Sequence, residues 1–172
     1  MTIHQILSDH RVAVVRELPQ YRPTPPFNPS EQFPENRAFF YYDRNEFSIK
    51  SDPSRSIRYM AIADGLIGGE KESPLSPTPK KFGFVMAATN PVALDACIAS
   101  LIGFDIYCIP QIYKAFSIEK YPLVSFKPEE IEILGLNSVK SIKDVFSKNM
   151  FVPFEPSCGW KGHIEYRAEE HK

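Results

Sequence analysis

The sequence predicts an α/β fold, a mixed sheet with flanking helices, built as a single domain over residues 1–172. Three observations carry this expectation. The apolar runs Ile57–Ala63 and Phe82–Ala88 have strand length, and the second is apolar enough to be buried on both faces, as a central strand is. Asn90-Pro91 then reads as an N-cap followed by proline at the first helical position. The apolar stretch behind it runs to about Ile102, where Gly103 closes the helix. Strand, helix, helix and strand between Phe82 and Leu136 then succeed one another as a βαβ-like unit.

Taken in order, Arg11–Leu18 is a short apolar strand that needs a neighbour. Residues 19–37 form a proline-rich loop, because six of the sixteen prolines fall between Pro19 and Pro34 and each fixes φ and removes a donor. Tyr21, Phe27 and Phe33 suggest that this loop is pinned to the body. Ala38–Asp43 is rich in aromatics and reads as a strand. The strand Ile57–Ala63 ends at the turn signal Asp64-Gly65. Residues 65–81, with glycines at 65, 68 and 69 and prolines at 74, 77 and 79, read as a glycine/proline loop. Beyond the Pro91 helix, Ile109–Phe116 predicts a short helix. Glu130–Leu136 alternates polar and apolar residues as a strand does, and Ser138 to Ser147 has an apolar side at Val139, Ile142, Val145 and Phe146.

Composition excludes several classes. A net charge of -1, with scattered charges, carries no nucleic-acid footprint. Three widely spaced cysteines, at 97, 108 and 158, fit neither a disulfide framework nor a zinc or iron–sulfur motif, so no iron–sulfur cluster is expected on this chain alone. No HxH or HExxH spacing occurs among the four histidines. No window is apolar enough for a membrane span and the first residues do not form a signal peptide, so the expected location is cytoplasmic.

Acidic residues are the candidates for chemistry. Asp95 is the only charged residue between Phe82 and Phe104. An acid in such surroundings either pairs with a buried donor or lines a pocket. Asp64, at a strand end before Gly65, either closes an Asx-turn or offers its carboxylate to a cation or proton. Glu70 follows Gly68-Gly69, where the backbone could approach a ligand closely; the plain alternative is a solvated glutamate beside Lys71 and Glu72. Cys97 reads as a small core residue. Lys80 and Lys81 read as a solvated edge or an anion contact.

The blocks RYMAIADGLIGGE, KKFGFVMAATNPVALDACIASLIGFD and GWKGHIE resemble the domain-of-unknown-function 362 family. Members share a strand–Asp-Gly–loop–Gly-Glu segment and a Pro-Val-Ala-Leu/Val-Asp helix ending in Met/Ile-Gly-Phe-Asp. By that resemblance, Asp64, Gly65, Gly69, Glu70 and Pro74 fall on the glycine–acid loop, and Asn90, Pro91, Asp95, Gly103 and Asp105 on the helix motif. The candidate site is thus Asp64, Gly65, Gly69, Glu70, Asn90 and Asp95, with Asp64, Glu70 and Asp95 the expected ligands of a divalent metal. Where the family loop reads Gly-Glu-Gly-Asn-Gly-Pro, this chain has Gly69-Glu70-Lys71-Glu72-Ser73-Pro74, which argues against close backbone approach. Relatives are often longer, and some carry a ferredoxin-like module, so the chain resembles the C-terminal part of such a protein.

Two functions compete: a metal or acid–base site built from the three carboxylates, and a non-catalytic scaffold or partner domain, truncated relative to its family. The expected partner is another protein or a missing N-terminal region, reached through aromatics such as Phe39, Phe40, Tyr41 and Tyr42. No nucleic acid or membrane is expected. The separation of the carboxylates discriminates between the two.

Overall fold

The computed structural model describes residues 9–16, 60–120, 122–136 and 139–168. The chain divides into two units, one of Met1–Glu17 with Arg58–Lys172 and one of Leu18–Ile57. The second unit lies outside the described residues, and with it the expected proline-rich loop 19–37, the strand Ala38–Asp43 and the aromatics Phe39 to Tyr42.

The first unit is an α/β layer. Strands β1 (Arg11–Arg16), β2 (Ala61–Glu72), β3 (Ser76–Ala88) and β4 (Glu132–Leu134) form one mixed sheet in the order β2-β3-β1-β4. Helices α1 (Pro91–Leu101), α2 (Pro110–Ala115) and α3 (Ile142–Ser147) accompany it. β3 is interior, as its apolar run predicts. Its even positions Phe82, Phe84, Met86 and Ala88 are buried, while Val85 and Ala87 on the other face are only half-buried. The neighbour that the N-terminal strand needs is provided twice, since β1 pairs antiparallel with β3 and parallel with β4.

That placement corrects the βαβ-like reading. β4 follows β3 through helices, but β1 sits between them, and β3 therefore runs antiparallel to β4 rather than entering a parallel crossover. β2 also runs antiparallel to β3, with Ala61 opposite Ala88 and Asp64 opposite Val85. The carboxyl ends of these two strands thus lie at opposite ends of the hairpin, so β2 and β3 share no carboxyl edge on which to gather Asp64 and Asp95.

The expected loop 65–81 is a continuous hairpin instead. β2 extends to Glu72 and pairs residue by residue with Ser76–Lys81 around a tight turn. Prolines are tolerated here because, among the described residues, β1 pairs only with Phe84–Ala88, leaving that flank of β3 at Pro77 and Pro79 unladdered. Glycines serve packing: a Cβ on Gly65 would lie 2.6 Å from the Phe82 ring, and one on Gly68 2.7 Å from the Phe154 ring. Large side chains from β3 and the C-terminal segment fill that space.

α1 forms as its sequence predicts. Asn90 Oδ1 accepts from the N–H groups of Val92 (2.9 Å) and Ala93 (3.2 Å), and Pro91 needs no donor there. At the other end Gly103 takes φ +83, and the Phe104 N–H returns to the Ala99 carbonyl at 2.8 Å. Eight of the eleven helix residues are buried, joining Val12, Val14, Met86, Ile131, Ile133 and Val145 in one core.

Candidate functional site

The hairpin controls where the acids point. Successive strand side chains alternate between faces. Ala61 and Ala63 pack on the core side with α1, so Asp64 lies on the opposite face, where it is exposed. Its Oδ1 accepts from the Leu66 N–H two residues on, at 3.3 Å, the Asx-turn reading of this residue. A register shift between Gly65 and Ile67 then reverses the alternation. Beyond it, Gly68 faces Phe154 and Glu70 returns to the core side.

Glu70 is engaged there. Its Oε2 accepts from Lys80 Nζ (2.8 Å) and from the backbone N–H of Glu155 (3.1 Å). Lys80 also donates to the Pro153 carbonyl and lies 5.3 Å from the centre of the Phe154 ring. The Lys80 hydrogen bond, and after it the Glu155 N–H, hold the Glu70 carboxyl below its usual range. The same strand clasps the C-terminal segment further along. Lys71 N–H donates to Glu155 O at 2.7 Å, and Glu72 Oε1 accepts from Cys158 N–H at 3.1 Å.

Asp95 behaves differently. It is on the exposed side of α1 and, among the described residues, makes no hydrogen bond or ion pair. The buried donor that is one of the two expectations for it is not present among those residues. The apolar surroundings nevertheless raise its carboxyl above the usual aspartate range through partial desolvation. The structure therefore does not bring Asp64, Glu70 and Asp95 together: Asp64 projects from the far face of the sheet, Glu70 is bonded within the hairpin's core-side face, and Asp95 lies on the outer surface of α1. Among the described residues no group of three His, Cys, Asp or Glu is arranged to hold a metal ion. Asn90 is the α1 cap and also donates to the Leu123 carbonyl at 3.0 Å. Asp105, buried, caps the short turn Ile106–Cys108 by accepting from the Tyr107 N–H. Cys97 is buried, as expected, and burial pushes its thiol up to about 12.

Gly69 and Glu70 border a cleft of ≈ 360 Å³ between the hairpin and the C-terminal segment. Its lining includes the apolar Ile102, Phe104, Ile109 and Ile164 together with Lys71, Glu155 and Trp160. The three motif blocks of the sequence, which lie far apart along the chain, thus meet at this one cleft through Glu70, Phe104 and Trp160. Lys71, Glu155 and Trp160 were missed as site residues. Lys71 had a signal in the sequence, since it stands where the family pattern has glycine, and its backbone keeps the left-handed φ of +66 that favours glycine.

Fold and cleft define a small α/β module with a three-stranded antiparallel portion and one parallel edge strand. Residues 42–100 match the family described as Domain of unknown function (DUF362), bearing out the resemblance of the first sequence block and of the second as far as Ser100; Leu101–Asp105 and Cys158–Glu165 lie outside the matched span. Comparison with curated proteins and with solved structures finds no match. No helix among the described residues is long and apolar enough to cross a membrane.

Proposed function

We propose that this chain is a non-catalytic partner domain, in which the glycine–acid segment holds the chain's own C-terminal segment rather than a metal ion. The observation that carries this reading is the Glu70 carboxylate, bonded to both Lys80 Nζ and the Glu155 N–H. Both bonds fall on Oε2, and the Lys80 ammonium 2.8 Å away neutralises the carboxylate and repels a cation approaching it. The exposed Ile62 and Ile67 on β2, 67% and 72% accessible, support a surface that meets protein rather than solvent alone. The chemistry recognised there is apolar, from another polypeptide.

The competing metal reading keeps one supporting observation, the unpartnered Asp95 with its raised carboxyl. Calorimetric titration of the purified protein with Mn²⁺ and Zn²⁺ separates the two. The partner-domain reading expects no saturable uptake, and a lower Tm for Glu70→Gln with or without metal. Saturable uptake abolished by both Asp64→Asn and Asp95→Asn would replace it with the metal site.

A further inference from the structure

Charge in the cleft is unevenly closed. Glu70 is paired with Lys80 at 2.8 Å, and Glu155 with Lys161 at 2.6 Å. Glu72, next to Lys71, accepts from the Cys158 N–H. Lys71 lines the same cleft, yet its ammonium forms no ion pair or hydrogen bond among the described residues. Its backbone is held at φ +66 by the Lys71 N–H to Glu155 O bond and by Ser73 N–H to Lys71 O at 2.8 Å. A lysine is thus kept at a position suited to glycine, on the lining of a cleft that also holds Ile102, Phe104 and Ile109. Trp160, the only tryptophan in the chain and 39% exposed, lines the same cleft.

We propose that this cleft binds a small aromatic carboxylate, its ring against the apolar lining of Ile102, Phe104, Ile109 and Trp160 and its carboxylate on the Lys71 ammonium. A largely apolar lining with a few polar groups is the usual composition of a small-molecule site; here the Glu70 and Glu155 carboxylates are paired with Lys80 and Lys161, and the volume lies at the small end of that class, which limits the ligand to about one ring. Lysine meets such a carboxylate as a point charge, so Arg would serve in its place and a neutral side chain would not. This inference does not depend on the partner-domain reading, because the cleft lies on the core side of the hairpin, whereas Ile62 is on the other face.

Trp160 supplies the readout. Titrating the full chain with benzoate is expected to give a saturable change in tryptophan emission, while the neutral isostere benzamide gives none in the same range. Lys71→Gly should weaken benzoate at least about tenfold with a Tm at or above that of the parent, which separates lost binding from lost fold. Lys71→Arg should retain binding. No saturable response to benzoate, an equal response to benzamide, or unchanged benzoate affinity in Lys71→Gly would each overturn the proposal.

Discussion

Glu70 and Asp95 exchange the circumstances that their sequence neighbours suggest. Glu70 stands in the polar run Gly69-Glu70-Lys71-Glu72, yet its side chain is only 12% exposed and is bonded to a lysine and a backbone N–H from the C-terminal segment. Asp95 stands in the most apolar stretch of the chain, yet it faces solvent without a partner among the described residues. Helical periodicity explains Asp95. Positions 91, 95, 98 and 102 form one stripe along α1, and this is the stripe that the core leaves uncovered: Pro91 and Asp95 are exposed, Ile98 and Ile102 partly so. The isoleucines hide the polar side of the helix from a reading that counts only apolar neighbours. Glu70 has no such local explanation. A segment 85 residues away covers it. An isolated acid in an apolar run is thus weaker evidence of a site than an acid whose satisfaction requires a remote partner.

The largest expected effect tests that remote partner. Phe154 is buried against Phe82, with ring centroids 5.7 Å apart, and it anchors the C-terminal segment under Lys80. Phe154→Ala should cost about 3–5 kcal/mol in urea denaturation. A loss below about 1 kcal/mol would show that the segment's docking is incidental and that Glu70 is not held by a structural need.

Glu70→Gln comes next. Gln keeps an acceptor for the Glu155 N–H and removes the charge facing Lys80. The Glu70 carboxyl is lowered in the folded state, so it contributes stability above its ordinary value of 4.5 and loses that contribution as pH falls through the lowered value. The Tm difference between parent and variant should therefore be greatest near neutrality and close in acid. A difference that is constant with pH would place the effect in packing rather than in the ion pair.

Lys71→Gly should act in the opposite direction. A left-handed lysine carries roughly 1–2 kcal/mol of strain, and glycine's greater freedom in the unfolded chain offsets part of the relief. The net expectation is a gain of up to about 1 kcal/mol, measured by denaturation. Destabilisation would mean that the lysine side chain contributes to holding the hairpin against Glu155.

Asp95→Asn has the smallest effect and sharpens the comparison most directly. A carboxyl raised by desolvation is less favourable when charged in the folded state, so its contribution worsens as pH rises above the ordinary 3.8. The variant should match or slightly exceed the parent in Tm near neutrality, with the difference vanishing in acid. A loss of about 1–3 kcal/mol would reveal a buried donor and contradict the exposed placement.

Much of the molecule was legible in local chemistry. The Asn90-Pro91 start of α1, its glycine stop, the interior place of Phe82–Ala88 and the burial of Cys97 follow from capping, φ preference and apolar runs, which act within a few residues. These terms belong to the chain itself and persist whatever surrounds it. Strand direction does not: β1 slips between β3 and β4, because pairing is settled by which edges meet and not by the order of elements. Residues 65–81 also read as a loop because glycine and proline usually break strands. Here Phe82 and Phe154 fill the space above Gly65 and Gly68, and the flank of β3 that no strand covers among the described residues makes no use of the N–H groups that Pro77 and Pro79 lack. The faces of Asp64 and Glu70 were equally out of reach, since a register shift of one residue turns a side chain to the other side of a sheet. The sequence determined where the α1 turns begin and end and which side chains are apolar; only the tertiary structure decided which acids meet a partner, because that depends on contacts between segments whose separation along the chain carries no local signal.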